Sequence, residues 1–163
     1  QKKIEEQFFE LVGFYVNRLR IDEIELKLSS TVNLNWLSEI IITKLRPKKI
    51  DLVMESEFYP RDFLFKVAEV VDDMRIYLRN DSIFLSSGRD DWIEVAVQIL
   101  SRRCSSLWMN NTIFAFEVDI DNLIGGIEKI ERKINLRLQL PVACEYLNRH
   151  EQIGHLDVKI ENH

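Results

Sequence analysis

The chain has 163 residues, 46% of them hydrophobic and 30% charged, with five glycines and three prolines. That composition excludes disordered, fibrous and low-complexity classes and suits one compact domain over residues 1–163. A formal charge of −5 weakens any general attraction to phosphate backbones or anionic membranes, and charged residues break every apolar stretch before the roughly 18 residues a membrane span needs.

Gln1 rather than Met opens the sequence, as in a piece excised from a longer chain, and QKKIEEQFFEL has helical rather than signal-peptide character. Ile4, Phe8, Phe9, Val12, Tyr15, Val16 and Leu19 then recur at spacings of three and four, which predicts an amphipathic first helix over residues 1–20. IELKL at 24–28 alternates, with Ile24, Leu26 and Leu28 on one side and Glu25 and Lys27 on the other, the pattern of a half-buried strand. Asn33 or Asn35 can cap a second helix carrying Trp36, Leu37, Ile40, Ile41 and Leu45. Arg46-Pro47 ends it, because the residue before a proline is driven out of the helical region. IDLVM at 50–54 is the next strand.

From Pro60 onward Phe63, Leu64, Val67, Ala68 and Val71 mark a helix, after which RIYLR and SIFLS flank Asn80-Asp81, a pair that tolerates a tight hairpin turn. Asp90 is placed to cap a helix with Trp92, Ile93, Ala96, Val97 and Leu100. SSLWM and TIFAFEV flank Asn110-Asn111, and Asp121 is placed to cap a helix with Leu123, Ile124, Ile127, Ile130 and Ile134, weakened by Gly125-Gly126. Pro141 can open a short helix over VACEYLNRH, and LDVKI at 156–160 reads as an edge strand. The predicted fold is therefore α+β, a helix-hairpin-helix-hairpin-helix core with a mostly antiparallel sheet, its caps and turns recurring about thirty residues apart.

Catalytic and metal chemistry finds little footing. RHEQIGH at 149–155 places His150 and His155 five residues apart, about 140° around a helix, whereas two zinc ligands need a spacing of four. Gly154 between them predicts a helix C-terminal turn in which His150 complements the dipole. Cys104 and Cys144 belong to no CxxC pair and read as reduced thiols, which points to a cytoplasmic protein; Arg102-Arg103 could lower the pKa of Cys104. Glycine-rich phosphate loops are missing, so neither a cofactor nor a metal is predicted. Arg46, Lys48 and Lys49, and separately Lys129, Arg132, Lys133 and Arg137, read as solvated faces. An alternative function uses Glu117, Asp119 and Asp121, which would share one face of a strand and could hold Mg²⁺ in a phosphoryl-transfer or nucleic-acid-processing domain.

The remaining signal is aromatic. Hairpin pairing around Asn80-Asp81 puts Tyr77 opposite Phe84, flanked by Arg75 and Arg79, on the face away from Ile76 and Leu78. Around Asn110-Asn111 it puts Trp108 with Ile113 and Ala115, away from Leu107 and Met109. Aromatic and Arg side chains are favoured interface anchors, so Trp108, Ile113, Tyr77, Phe84, Arg75 and Arg79 are the expected partner-binding residues of a non-enzymatic protein-interaction domain. Its expected partner is another protein or a second copy of the chain; the acidic balance disfavours nucleic acid.

The helix and hairpin order over roughly residues 60–134 is similar to that of small acidic bacterial secretion chaperones. That resemblance would imply a dimer holding an unfolded client segment. Toxin-neutralising immunity proteins match the same size and charge.

Overall fold

A computed structural model describes residues 21–28, 32–55, 60–79, 89–110, 117–140 and 149–162. Its strands are β1 (Glu23–Leu28), β2 (Lys49–Glu55), β3 (Asp73–Arg79), β4 (Ser106–Asn110), β5 (Ile134–Leu140), β6 (Arg149–Ile153) and β7 (Leu156–Asn162). Its helices are α1 (Leu34–Ile40), continued by a π-helical turn over Ile41–Leu45, then α2 (Arg61–Ala68), α3 (Arg89–Leu100) and α4 (Glu117–Ile127).

All seven strands join one sheet in the order β1-β2-β3-β4-β5-β7-β6. Every neighbouring pair is parallel except β6 and β7. The fold is thus α/β with a mostly parallel sheet, which overturns the expected antiparallel α+β core. The two expected hairpins fail for a direct reason: β3 lies between parallel β2 and β4, and β4 lies between parallel β3 and β5. Neither strand has a free edge for an antiparallel partner. SIFLS and the turn pairs Asn80-Asp81 and Asn110-Asn111 fall wholly or partly outside the described residues, whereas Glu117 and Val118, read as the end of a strand, begin α4. The likeness to secretion chaperones rested on helix-hairpin order and falls with it.

Alternation misled because it records which face is covered, not which way the neighbouring strand runs. Parallel sheets covered on both sides read as continuous apolar runs. Here only one set of alternate residues is apolar and buried, including Ile50, Leu52, Met54, Met74, Ile76, Leu107, Met109, Leu136, Leu138, Val158 and Ile160. The four helices form a single layer against it, each packed beside the next in chain order.

Each of β1 to β4 with its following helix is one unit of a stack. Asp22 O accepts the amides of Lys48 and Lys49, Lys48 O those of Asp72 and Asp73, and Asp72 O those of Ser105 and Ser106. Pro47, Val71 and Cys104, each three residues ahead of a core residue of its strand (Ile50, Met74, Leu107), are all buried. Cys104 therefore fills a repeated core position. Burial pushes its thiol up to about 12, the reverse of what the adjacent arginines alone would do.

Local signals were more durable. Asn33 caps α1 by accepting the Trp36 amide at 3.2 Å, and Arg46 leaves the helix in the left-handed region at φ 42° just before Pro47. Asp90 and Asp121 lie inside α3 and α4 rather than capping them. LDVKI forms β7, an inner strand, and the edge is β6. Arg149 and His150 belong to β6, so the expected helix over VACEYLNRH does not reach them; residues 141–148 and the first helix over 1–20 lie outside the described residues.

Two residues fix how neighbouring units pack. A Cβ on Gly126 would stand 2.7 Å from Val97 Cγ2 on α3, so the bare backbone lets α3 and α4 close up, whereas a Cβ on Gly125 meets nothing within 4 Å. Arg132, expected on a solvated face, instead caps the end of α3: Nη1 donates to Arg103 O at 3.0 Å and Nη2 to Cys104 O at 2.7 Å and to Leu100 O.

Gly125→Ala should therefore stabilise the chain by about 1 kcal/mol through helix propensity. Gly126→Ala should destabilise it by about 1 kcal/mol or more, because Val97 is stiff at χ1 and cannot yield freely. Denaturant unfolding of the two variants separates these signs. By the same measurement Arg132→Ala should cost about 2 to 3 kcal/mol, since it strands carbonyls that a charged donor satisfies.

Candidate interaction face

The strand residues that point away from the helices are mainly polar or charged, and no described helix covers them. Three ranks cross the sheet in register. Glu23, Lys49, Asp73, Ser106, Asn135, Asp157 and Gln152 form the first, and Glu25, Asp51, Arg75, Trp108, Arg137, Lys159 and His150 the second. The third runs from Lys27 through Val53, Tyr77, Asn110 and Gln139 to Glu161.

At the middle of this face Tyr77 and Trp108 meet edge to face, with ring centroids 4.7 Å apart and planes at 83°. The Arg75 guanidinium lies 5.9 Å from the Trp108 ring centroid. Both rings are half-buried. Parallel pairing of β3 with β4 creates this cluster by setting Arg75 level with Trp108, and Tyr77 level with Asn110. Arg79 lies at the end of β3, while Phe84 and Ile113 fall outside the described residues. The structure thus brings together Arg75, Tyr77 and Trp108 from the expected set, through adjacent parallel strands rather than within two hairpins.

An ion network borders the aromatic pair. Lys49 binds Glu23 and lies 3.7 Å from Asp51, whose carboxylate is 4.0 Å from Arg75 Nε. Lys49 holds the exposed Glu23 carboxyl below its usual range through their hydrogen bond. Asp51 is the strained member. Its side chain is 15% exposed, and its buried Oδ1 receives no hydrogen bond. Burial raises its carboxyl above the ordinary range, opposed by the charges of Lys49 and Arg75. Asn110 Oδ1, beside Tyr77, is likewise buried and without a donor. Lys49, Asp51, Asn110 and Arg137 were not singled out from sequence for this face. Extending the alternation of IDLVM and LDVKI across a parallel sheet would have found Asp51 and Lys159.

The other candidate chemistry takes a different shape. Glu117, Asp119 and Asp121 lie on helix α4, where a spacing of two turns successive residues about 200° apart, so the single strand face expected for them does not exist. Among the described residues no three His, Cys, Asp or Glu side chains group as metal ligands. RHEQIGH is a β-hairpin, not a helix end: Gly154 at φ +58° and His155 make the two-residue turn between β6 and β7. His150 Nε2 lies 3.0 Å from Asp157 Oδ1 on β7, and His155 is exposed in the turn.

No helix is long and apolar enough to cross a membrane among the described residues. No family model matches the chain, nor does any curated protein or solved structure. The assignment at this level is one of fold: a sequentially stacked, mostly parallel sheet that the described helices cover on one side.

The raised pKa of Asp51 has a signed consequence. The folded chain holds that proton more tightly than the unfolded chain, so the stability contributed at this position falls as pH rises through the carboxylate range. Asp51→Asn removes the titration. The stability difference between variant and wild type should move in the variant's favour from about pH 3 to about pH 6, measured by urea unfolding at each pH. A difference that stays flat across that window contradicts the assignment.

Proposed function

We propose that this chain is a non-enzymatic protein–protein interaction domain whose working surface is the polar, aromatic-centred face of the sheet. The observation that carries this reading is the cluster of Arg75, Tyr77 and Trp108 at the middle of a face that no described helix covers. Aromatic rings and arginines concentrate binding energy at interfaces, where they combine large contact area with directional donors. Rigid parallel strands hold these side chains, so little conformational freedom is lost when they engage a partner.

The architecture supports the same reading by analogy. Stacked strand-helix units bonded only to their neighbours build solenoids such as leucine-rich repeats, whose extended sheet surface serves for binding. Partner recognition of this kind fits another protein or a second copy of the chain, in a cytoplasmic setting that leaves Cys104 as a thiol.

Trp108→Ala should leave the chain folded and weaken partner binding by about 2 kcal/mol or more. The test compares wild type and variant in partner capture, in self-association by sedimentation, and in denaturant unfolding. A partner that binds both chains equally overturns the proposal. So does a stability loss of about 3 to 5 kcal/mol, the signature of an emptied core site.

A further inference from the structure

The second rank of this face has a distinct charge pattern. Arg75, Trp108, Arg137 and Lys159 stand side by side on β3, β4, β5 and β7. Adjacent strands are about 4.8 Å apart, so the arginines on either side of Trp108 are separated by roughly 10 Å at the backbone. The Arg75 side chain is 40% exposed and shares its charge with Asp51 at 4.0 Å. Arg137 is exposed and, among the described residues, makes no ion pair, although its charge reaches Glu161. Lys159 pairs with Glu161 in the neighbouring rank. Beyond Arg75 the rank turns acidic at Asp51 and Glu25. A short cationic stretch centred on an aromatic ring thus lies on the surface of a chain whose net charge is −5.

We propose that this stretch docks an acidic, extended segment of a partner protein. Two carboxylates engage Arg75 and Arg137, and an apolar side chain between them rests on Trp108. The inference builds on the sheet face as partner-binding surface and adds the partner's chemistry. Alternate residues of an extended chain share one face, so a carboxylate, an apolar side chain and a second carboxylate at every other position span roughly 13 Å of backbone, within reach of the two long arginine side chains that flank Trp108. Each guanidinium fork takes a carboxylate through paired hydrogen bonds, and the aromatic ring supplies apolar area between them. Single-stranded nucleic acid would use the same residue types but fits the geometry less well. Tyr77 and Trp108 stand at 83° and offer successive bases no common stacking plane. A longer phosphate backbone would run onto Asp51 and Glu25.

The experiment measures fluorescence anisotropy at low salt with three labelled probes. One is a short peptide with two glutamates four positions apart and a phenylalanine midway between them, the second replaces its glutamates with lysine, and the third is an oligothymidylate of similar length. Wild type should bind the acidic peptide, more weakly as salt rises. Arg137→Glu should weaken that binding by about tenfold or more with no change in the circular dichroism spectrum, because the side chain is exposed. Arg137→Lys should retain most of it. Equal binding of the lysine peptide, indifference to Arg137→Glu, or tighter binding of the oligothymidylate overturns the inference. Failure of the acidic peptide, alongside a protein partner that still depends on Trp108, removes the acidic-segment inference and leaves the interaction-domain proposal standing. A partner indifferent to both Trp108 and Arg137 removes both.

Discussion

Coverage of a parallel sheet by helices on one side, among the described residues, is the constraint on which the rest of this arrangement depends. Helices α1 to α4 lie in one layer, so a single set of alternate strand residues must be apolar and its complement stays mainly polar. Doubly covered parallel sheets have no such complement, because both faces are core. The ranks that carry Lys49, Asp51, Arg75, Trp108, Arg137 and Lys159 exist because the connections between β1 and β5 that the structure describes place their helices on the same side.

The stack is held at three levels. Backbone carbonyls of Asp22, Lys48 and Asp72 each take two amides from the next unit, which sets the register of the strands before any side chain acts. Buried residues at matching positions, among them Pro47, Val71 and Cys104, then fill the space ahead of each strand. Gly126 and Arg132 adjust the fit of α3 to its neighbours, one by removing a Cβ and the other by donating to Leu100 O at the helix end and to Arg103 O and Cys104 O just beyond it. Interactions between adjacent units dominate, as in other stacked folds.

That rigidity bears on the face. Arg75 and Trp108 come from strands more than thirty residues apart in sequence, yet their contact follows from the register of β3 with β4 alone. Asp51 illustrates the cost of crowding charges on a partly covered surface: two cations lie within 4.0 Å, but its inner oxygen receives no hydrogen bond and burial still dominates its proton affinity. Such a group is offset by its neighbours rather than satisfied by them.

The sequence by itself determined the local grammar. IELKL, IDLVM, RIYLR and LDVKI lie in strands, as does SSLWM apart from Ser105, Asn33 caps a helix, and Arg46-Pro47 ends it, because side-chain periodicity, a capping oxygen and proline sterics act within a few residues. It also divided Ile76 from Tyr77 and Leu107 from Trp108, since opposite faces of a strand are fixed by a period of two. Tertiary structure alone decided strand direction and neighbour. Alternation is the same whether the next strand is parallel or antiparallel, and turn-prone pairs such as Asn80-Asp81 permit a hairpin without requiring one. The same ambiguity made RHEQIGH look like a helix end, where Gly154 turns a hairpin, and hid the alignment of Arg75, Trp108 and Arg137, which no window of local sequence contains. Hydrogen bonding between distant units and the choice of one face to bury settled those questions, because both are properties of the assembled sheet rather than of any strand in it.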